Sequence, residues 1–124
     1  MKNISPFFRR TNDAVLLVTD YQAGQLSGQL IHPRLEGPKR INSVPHLVLA
    51  LDEILLREDG MVSYHAFEQT GYEEIRRIAT LRIRILFQEH HTWQGSVQWE
   101  EERKEAAFQS VLELIQILDE ILSG

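Results

Sequence analysis

Two pairs of adjacent arginines, Arg9-Arg10 and Arg76-Arg77, are the residues of this 124-residue chain that most invite chemistry. Each pair stands just before a stretch with strand character, and the two pairs are separated by 67 positions. Guanidinium groups present planar, permanently charged forks that match carboxylate and phosphate oxygens. Four of them brought together would suit a small anion with two-fold character of its own, such as a nucleotide with paired phosphates. The competing reading makes them edge gatekeepers or surface partners for the abundant glutamates.

The other polar candidates carry less. His90 and His91 sit beside Trp93 in "EHHTWQG". Ligands sharing one face should be two apart on a strand, or three or four apart on a helix, and no third ligand completes such a set. His32, His46 and His65 are scattered, and His46 falls in the first turn of a helix, a poor place for a cationic imidazole. Asp52-Glu53 and Asp119-Glu120 look like paired carboxylates, but neighbours on a helix point about 100° apart. They read as solubilising residues. No phosphate-binding glycine loop, dinucleotide fingerprint or nucleophile elbow is present. The sequence therefore predicts no enzyme, no metal site and no cofactor.

Bulk composition narrows the partners. A formal charge of -5 and a pI near 5.5 argue against extended nucleic acid and against an anionic membrane surface. Zero cysteines removes disulfides, thiolate nucleophiles and cysteine-bound metals. No apolar stretch approaches the roughly 18 residues of a spanning helix, and the opening residues lack a signal-peptide pattern. A cytoplasmic protein with a single domain over residues 1–124 is expected.

The elements that must position these residues are written twice. "INSVPHLVLALDEIL" returns as "FQSVLELIQILDEIL". At an offset of 67, Ser43, Val44, Leu47, Leu51, Asp52, Glu53, Ile54 and Leu55 meet identical residues. Without a gap, Gly28 meets Gly95 and the arginine pairs meet each other. In "LRIRILFQE", Leu81, Ile83, Ile85 and Phe87 alternate with Arg82 and Arg84, which is the period of a half-buried strand. Ser110 with Glu113 forms a capping box, and Ser43 caps the earlier helix, with Pro45 tolerated in its first turn.

Each unit, about 8–56 and 75–122, reads as a β-hairpin followed by a helix, with a further short strand near Ile41 or Phe108. Residues 57–74 connect them. A lone hairpin and helix cannot bury their apolar face, whereas two can do so against each other. The fold class expected is α+β: tandem duplicated β-hairpin–helix units forming an antiparallel sheet of four or more strands. Both helices pack on one face, with pseudo-two-fold symmetry.

The stretch "GSVQWEEERKEAAFQSVLELIQILDEIL" resembles the strand–turn–strand–"FxSxxEL" helix ending of short uncharacterised bacterial proteins. That resemblance covers the second half and, weakly, the first, and it implies no activity.

Leu49, Ala50, Leu56, Leu112 and Ile117 lie off the main apolar stripes of the two helices. They widen the apolar arc beyond what one sheet face needs, so they are expected either to bring the helices together or to form a protein interface. The functional expectation is a small interaction module, homodimeric, that binds a protein partner through its helix face or a sheet edge. The alternative is a binder or sponge of a phosphorylated small molecule or nucleotide at Arg9, Arg10, Arg76 and Arg77.

Overall fold

The computed structural model describes residues 13–56, 76–89 and 92–123. They form an α+β fold in which one six-stranded antiparallel sheet carries two helices. In chain order the elements are β1 (Ala14–Gln22), β2 (Gln25–Ile31), β3 (Lys39–Ile41), α1 (Val44–Leu56), β4 (Ala79–Glu89), β5 (Thr92–Trp99), β6 (Lys104–Phe108) and α2 (Val111–Ser123). The spatial order is β3-β2-β1-β4-β5-β6, so β1 and β4 form the centre and the two short strands form the edges.

The strand pairings recur along the chain. Leu16 faces Leu30 and Val18 faces Gly28; 67 residues on, Ile83 faces Val97 and Ile85 faces Gly95. Gly28 pairs with Ile41 as Gly95 pairs with Phe108. Even the irregularities correspond. An extra residue interrupts the ladder between Val18 and Asp20, and another between Ile85 and Phe87. Such a bulge changes which face the following residues occupy. The regular pairing of β4 therefore breaks after Ile85, and Phe87 pairs with Gln94.

One large core lies between the sheet and the helices. Leu16, Val18, Leu26, Leu30 and Ile41 from the first three strands meet Leu81, Ile83, Trp93, Val97 and Phe108 from the last three. Leu47, Ala50, Leu51 and Ile54 descend on them from α1, and Leu114 and Leu118 from α2. The buried arc of α1 has the i, i+3, i+4, i+7 spacing of an amphipathic helix. Ala50 belongs to that arc and is only 2% exposed, so it is a core residue and not part of a surface patch. α1 packs over β2 and β3, while α2 packs over β5 and β6 and reaches β1.

Local chemistry explains where the elements begin and turn. Ser43 Oγ accepts from the His46 amide at 3.1 Å, and Ser110 Oγ accepts from the Glu113 amide at 3.1 Å. Reciprocally, His46 Nδ1 accepts from the Asn42 amide at 3.2 Å and Glu113 Oε1 from the Gln109 amide at 2.7 Å. His46 thus performs, with an uncharged nitrogen, the task of the capping-box carboxylate. β1 turns into β2 through Ala23 and Gly24, both at positive φ (51° and 77°), the geometry of a two-residue hairpin turn whose twist matches its strands.

Candidate functional site

Three large aliphatic side chains are exposed among the described residues: Ile78 just before β4, and one on each helix. Leu49 on α1 is 65% exposed and Leu112 on α2 is 64% exposed. Helical phase exposes these two: Leu49 lies two residues from the buried Leu47 and Leu51, and Leu112 two residues from the buried Leu114. Between the helices runs an open groove of 680 Å³, bounded by Val44 and Pro45 of α1, Ile115 and Asp119 of α2, and Tyr21 and Gly24 of the β1–β2 hairpin.

The helix layer has a one-sided charge. α1 carries Asp52 and Glu53, α2 carries Glu113, Asp119 and Glu120, and neither helix contains a lysine or arginine. Asp52-Glu53 and Asp119-Glu120 fall near the C-terminal ends of their helices, where the macrodipole is already negative and a cation would be favoured. Tyr21 ties the groove together by donating its hydroxyl to Asp119 Oδ1 at 2.6 Å. That hydrogen bond, then burial, then the Asp119 charge raise the Tyr21 phenol above its ordinary pKa of 10.0.

The face of the sheet away from the helices is organised differently in its two halves. On β1 and β2 it is apolar, with Val15, Leu17 and Ile31 fully buried. On β4 and β5 the corresponding row is polar: Arg82 stands opposite Val15 on one side and Gln98 on the other. Arg82 is 4% exposed and binds Glu100 Oε2 through Nε at 3.0 Å and Nη2 at 2.6 Å. Arg84 Nε pairs with the buried Asp13 at 3.2 Å. Thr80 gives its hydroxyl to Glu101 at 2.6 Å and accepts from Arg77 Nε at 2.7 Å.

The residues singled out by sequence are distributed unevenly over these surfaces. Arg77 is half-buried, held by Thr80 and lying 3.9 Å from Glu101, while Arg76 is exposed. Arg9 and Arg10 lie outside the described residues, as do His65, His90 and His91. Ile117 packs against the core from its edge. The helical backbone at Leu56 is described, its side chain is not.

His32 is buried, and its Nδ1 accepts from the Arg34 amide at 3.0 Å; Arg34 in turn donates to the Ile54 carbonyl at the end of α1. Among the described residues no group of three His, Asp or Glu could hold a metal ion. Nor, among them, is any helix long and apolar enough to cross a membrane.

Two features escaped sequence reasoning: the Arg82–Glu100 and Arg84–Asp13 ion pairs. Alternation shows Arg82 and Arg84 on the polar face, but burial and partner choice depend on strands far apart in the chain. Comparison with known protein families, curated proteins and solved structures finds no match for this chain.

Proposed function

We propose that this protein is a non-enzymatic interaction module that binds a protein partner through the solvent side of its α1–α2 layer. The observation that carries this reading is the pair of exposed leucines, Leu49 and Leu112, on a layer with an open, largely apolar-walled groove. Scattered surface leucines are ordinary; large aliphatics on the two helices of one layer, with a groove between those helices, mark a recognition surface. Partner binding offsets their hydration by roughly 1.5–3 kcal/mol for each leucine fully buried.

Two tandem units related by duplication are part of the same proposal. It is supported by the recurrence of both bulges, both glycines and both serine caps at one offset. The central β1–β4 register adds to this, since Ala14 opposite Ile83 and Leu16 opposite Leu81 exchange under that offset. Duplication supplies two like helices, and their divergence at Leu49 and Leu112 supplies a surface with distinct halves. A homodimer through this layer would set carboxylate against carboxylate, so a different protein is the better occupant. Arg77, engaged by Thr80 and near Glu101, gives the small-anion alternative no added support.

The test is substitution followed by partner recovery from the native host. Leu49→Asp with Leu112→Asp should leave the thermal transition within a few degrees and abolish recovery of the partner seen with the parent protein. Unchanged recovery by a folded double variant would remove the helix layer from the proposal.

A further inference from the structure

We infer that the groove between α1 and α2 takes a cationic amphipathic helical segment of another protein, its apolar side on the leucines and its Lys or Arg residues on the helix carboxylates. This rests on the helix-layer reading above and adds the chemistry of the partner. The argument begins with charge. Two helices of 13 residues each carry five carboxylates between them and no lysine or arginine. The groove itself is bordered by Asp119 and Glu120, with no cation among its described lining residues.

Basic groups face the helix side of the sheet at its two margins and at the end of α1, where the Arg34 guanidinium donates to the Ile54 carbonyl at 2.9 Å. Lys39 of β3 reaches Glu53 at 3.8 Å on the outer flank of α1, and Lys104 of β6 borders the outer flank of α2. At the groove itself the charged residues among the described lining are the carboxylates Asp119 and Glu120.

Placement makes this more than an acidic surface. Asp119-Glu120 lie toward the C-terminal end of α2, where carboxylates are disfavoured, so helix stability does not account for them. A local rule broken at the edge of a groove points to a function that the misplacement serves. An incoming cation there would meet the carboxylates and the negative helix end together. Leu49 and Leu112 provide the apolar component, and Val44, Pro45 and Ile115 line the floor and walls. An amphipathic helix laid in a groove presents anchors at i, i+3, i+4 and i+7, with charges along its flanks. A neutral segment would bury the same apolar surface without the ion pairs, and an acidic one would be repelled.

The probe is a fluorescent peptide of roughly 14 residues, about 21 Å long as a helix, built from Leu at the anchor positions and Lys elsewhere. Two companions replace every Lys with Gln or with Glu. At about 0.15 M ionic strength, where screening acts over about 8 Å, fluorescence anisotropy should show one Lys peptide bound per chain. It should bind about tenfold or more tighter than the Gln peptide, with no binding of the Glu peptide.

Asp119→Asn with Glu120→Gln should reduce that preference about fivefold or more, whereas Glu36→Gln with Glu102→Gln, exposed but away from the groove, should not. Leu112→Ala should weaken both the Lys and the Gln peptides.

Equal binding of Lys and Gln peptides, both weakened by Leu112→Ala, overturns the cationic partner and leaves the helix-layer reading standing. Peptide binding indifferent to Leu112→Ala overturns both. Self-association of the protein in sedimentation, lost on Leu112→Asp, makes a second copy the occupant and also overturns the inference.

Discussion

Gly28 and Gly95 should be intolerant of even a single added methyl group, and to different degrees. Neither glycine has a positive φ, so the reason is space and not backbone conformation. A Cβ at Gly28 would overlap the Leu17 carbonyl oxygen and stand 3.2 Å from both the Leu17 carbonyl carbon and Val18 Cα. At Gly95 it would overlap the Arg84 carbonyl oxygen, with Arg84 C and Ile85 Cα at 2.9 Å. Both obstacles are backbone in a paired strand beside a bulge, which cannot rotate away.

Alanine at a permissive glycine position normally stabilises by about 0.4–1 kcal/mol, through loss of unfolded-state freedom. Overpacking against fixed atoms costs about 1–3 kcal/mol, so the clash decides the sign. Gly28→Ala is expected to destabilise by about 1–2 kcal/mol and Gly95→Ala, with the closer approach, by about 2–3 kcal/mol. A chain of this length has an unfolding entropy of roughly 260 cal/mol/K near its midpoint, so the shifts are about 4–8 °C and about 8–12 °C. Circular dichroism melts and urea titration provide the measurement. A neutral or stabilising Gly95→Ala, or a larger loss at Gly28, would refute the packing argument.

Other perturbations address the caps, the turn and the ion pairs. His46→Glu should stabilise by a few tenths to about 1 kcal/mol in a urea titration, because a carboxylate suits both the Asn42 amide and the positive end of α1. Ala23→Asn should raise the melting temperature, since Asn accepts the left-handed φ of 51° at the hairpin turn more readily than Ala. Glu100→Ala should cost about 3 kcal/mol or more and Arg82→Met much less. The first strands a cation whose side chain is 5% exposed, the second leaves a carboxylate that is 32% exposed.

The Tyr21 phenol, monitored by ultraviolet absorbance, should titrate closer to 10.0 in Asp119→Asn than in the parent protein. Because the folded pKa is the higher one, the Tyr21–Asp119 contribution is complete below pH about 10 and is lost as pH rises through the raised value.

Much of the architecture was legible because its signals are local. Serine caps and i, i+3, i+4 leucines locate α1 and α2, and alternation in "LRIRI" with β-branched and aromatic residues locates β4. The edge strands β3 and β6 were only partly visible: β3 is three residues long, and the pattern of "KEAAF" is dominated by its charged neighbours. Bulges left no mark in the pattern, since a bulge adds one residue to a strand without changing its composition.

A small residue weighs little in an apolar stripe, so Ala50 reads as lying off it, yet it is 2% exposed within the core. The buried ion pairs were invisible for a different reason. Asp13 and Arg84 are 71 positions apart, and only the β1–β4 register brings them together. Leu49 and Leu112 could be found from helical phase alone. The groove between their helices depends on how far apart the sheet holds them.

The helix layer as the binding surface is tested most directly by site-resolved photo-crosslinking in the native host. A photoreactive amino acid would replace Leu112 on the layer, Arg40 on the opposite face of the sheet, or Glu105 on the edge strand β6, all exposed positions. A protein adduct from position 112, with none from 40 or 105, is the predicted result. Adducts from 40 or 105 with none from 112 would contradict it.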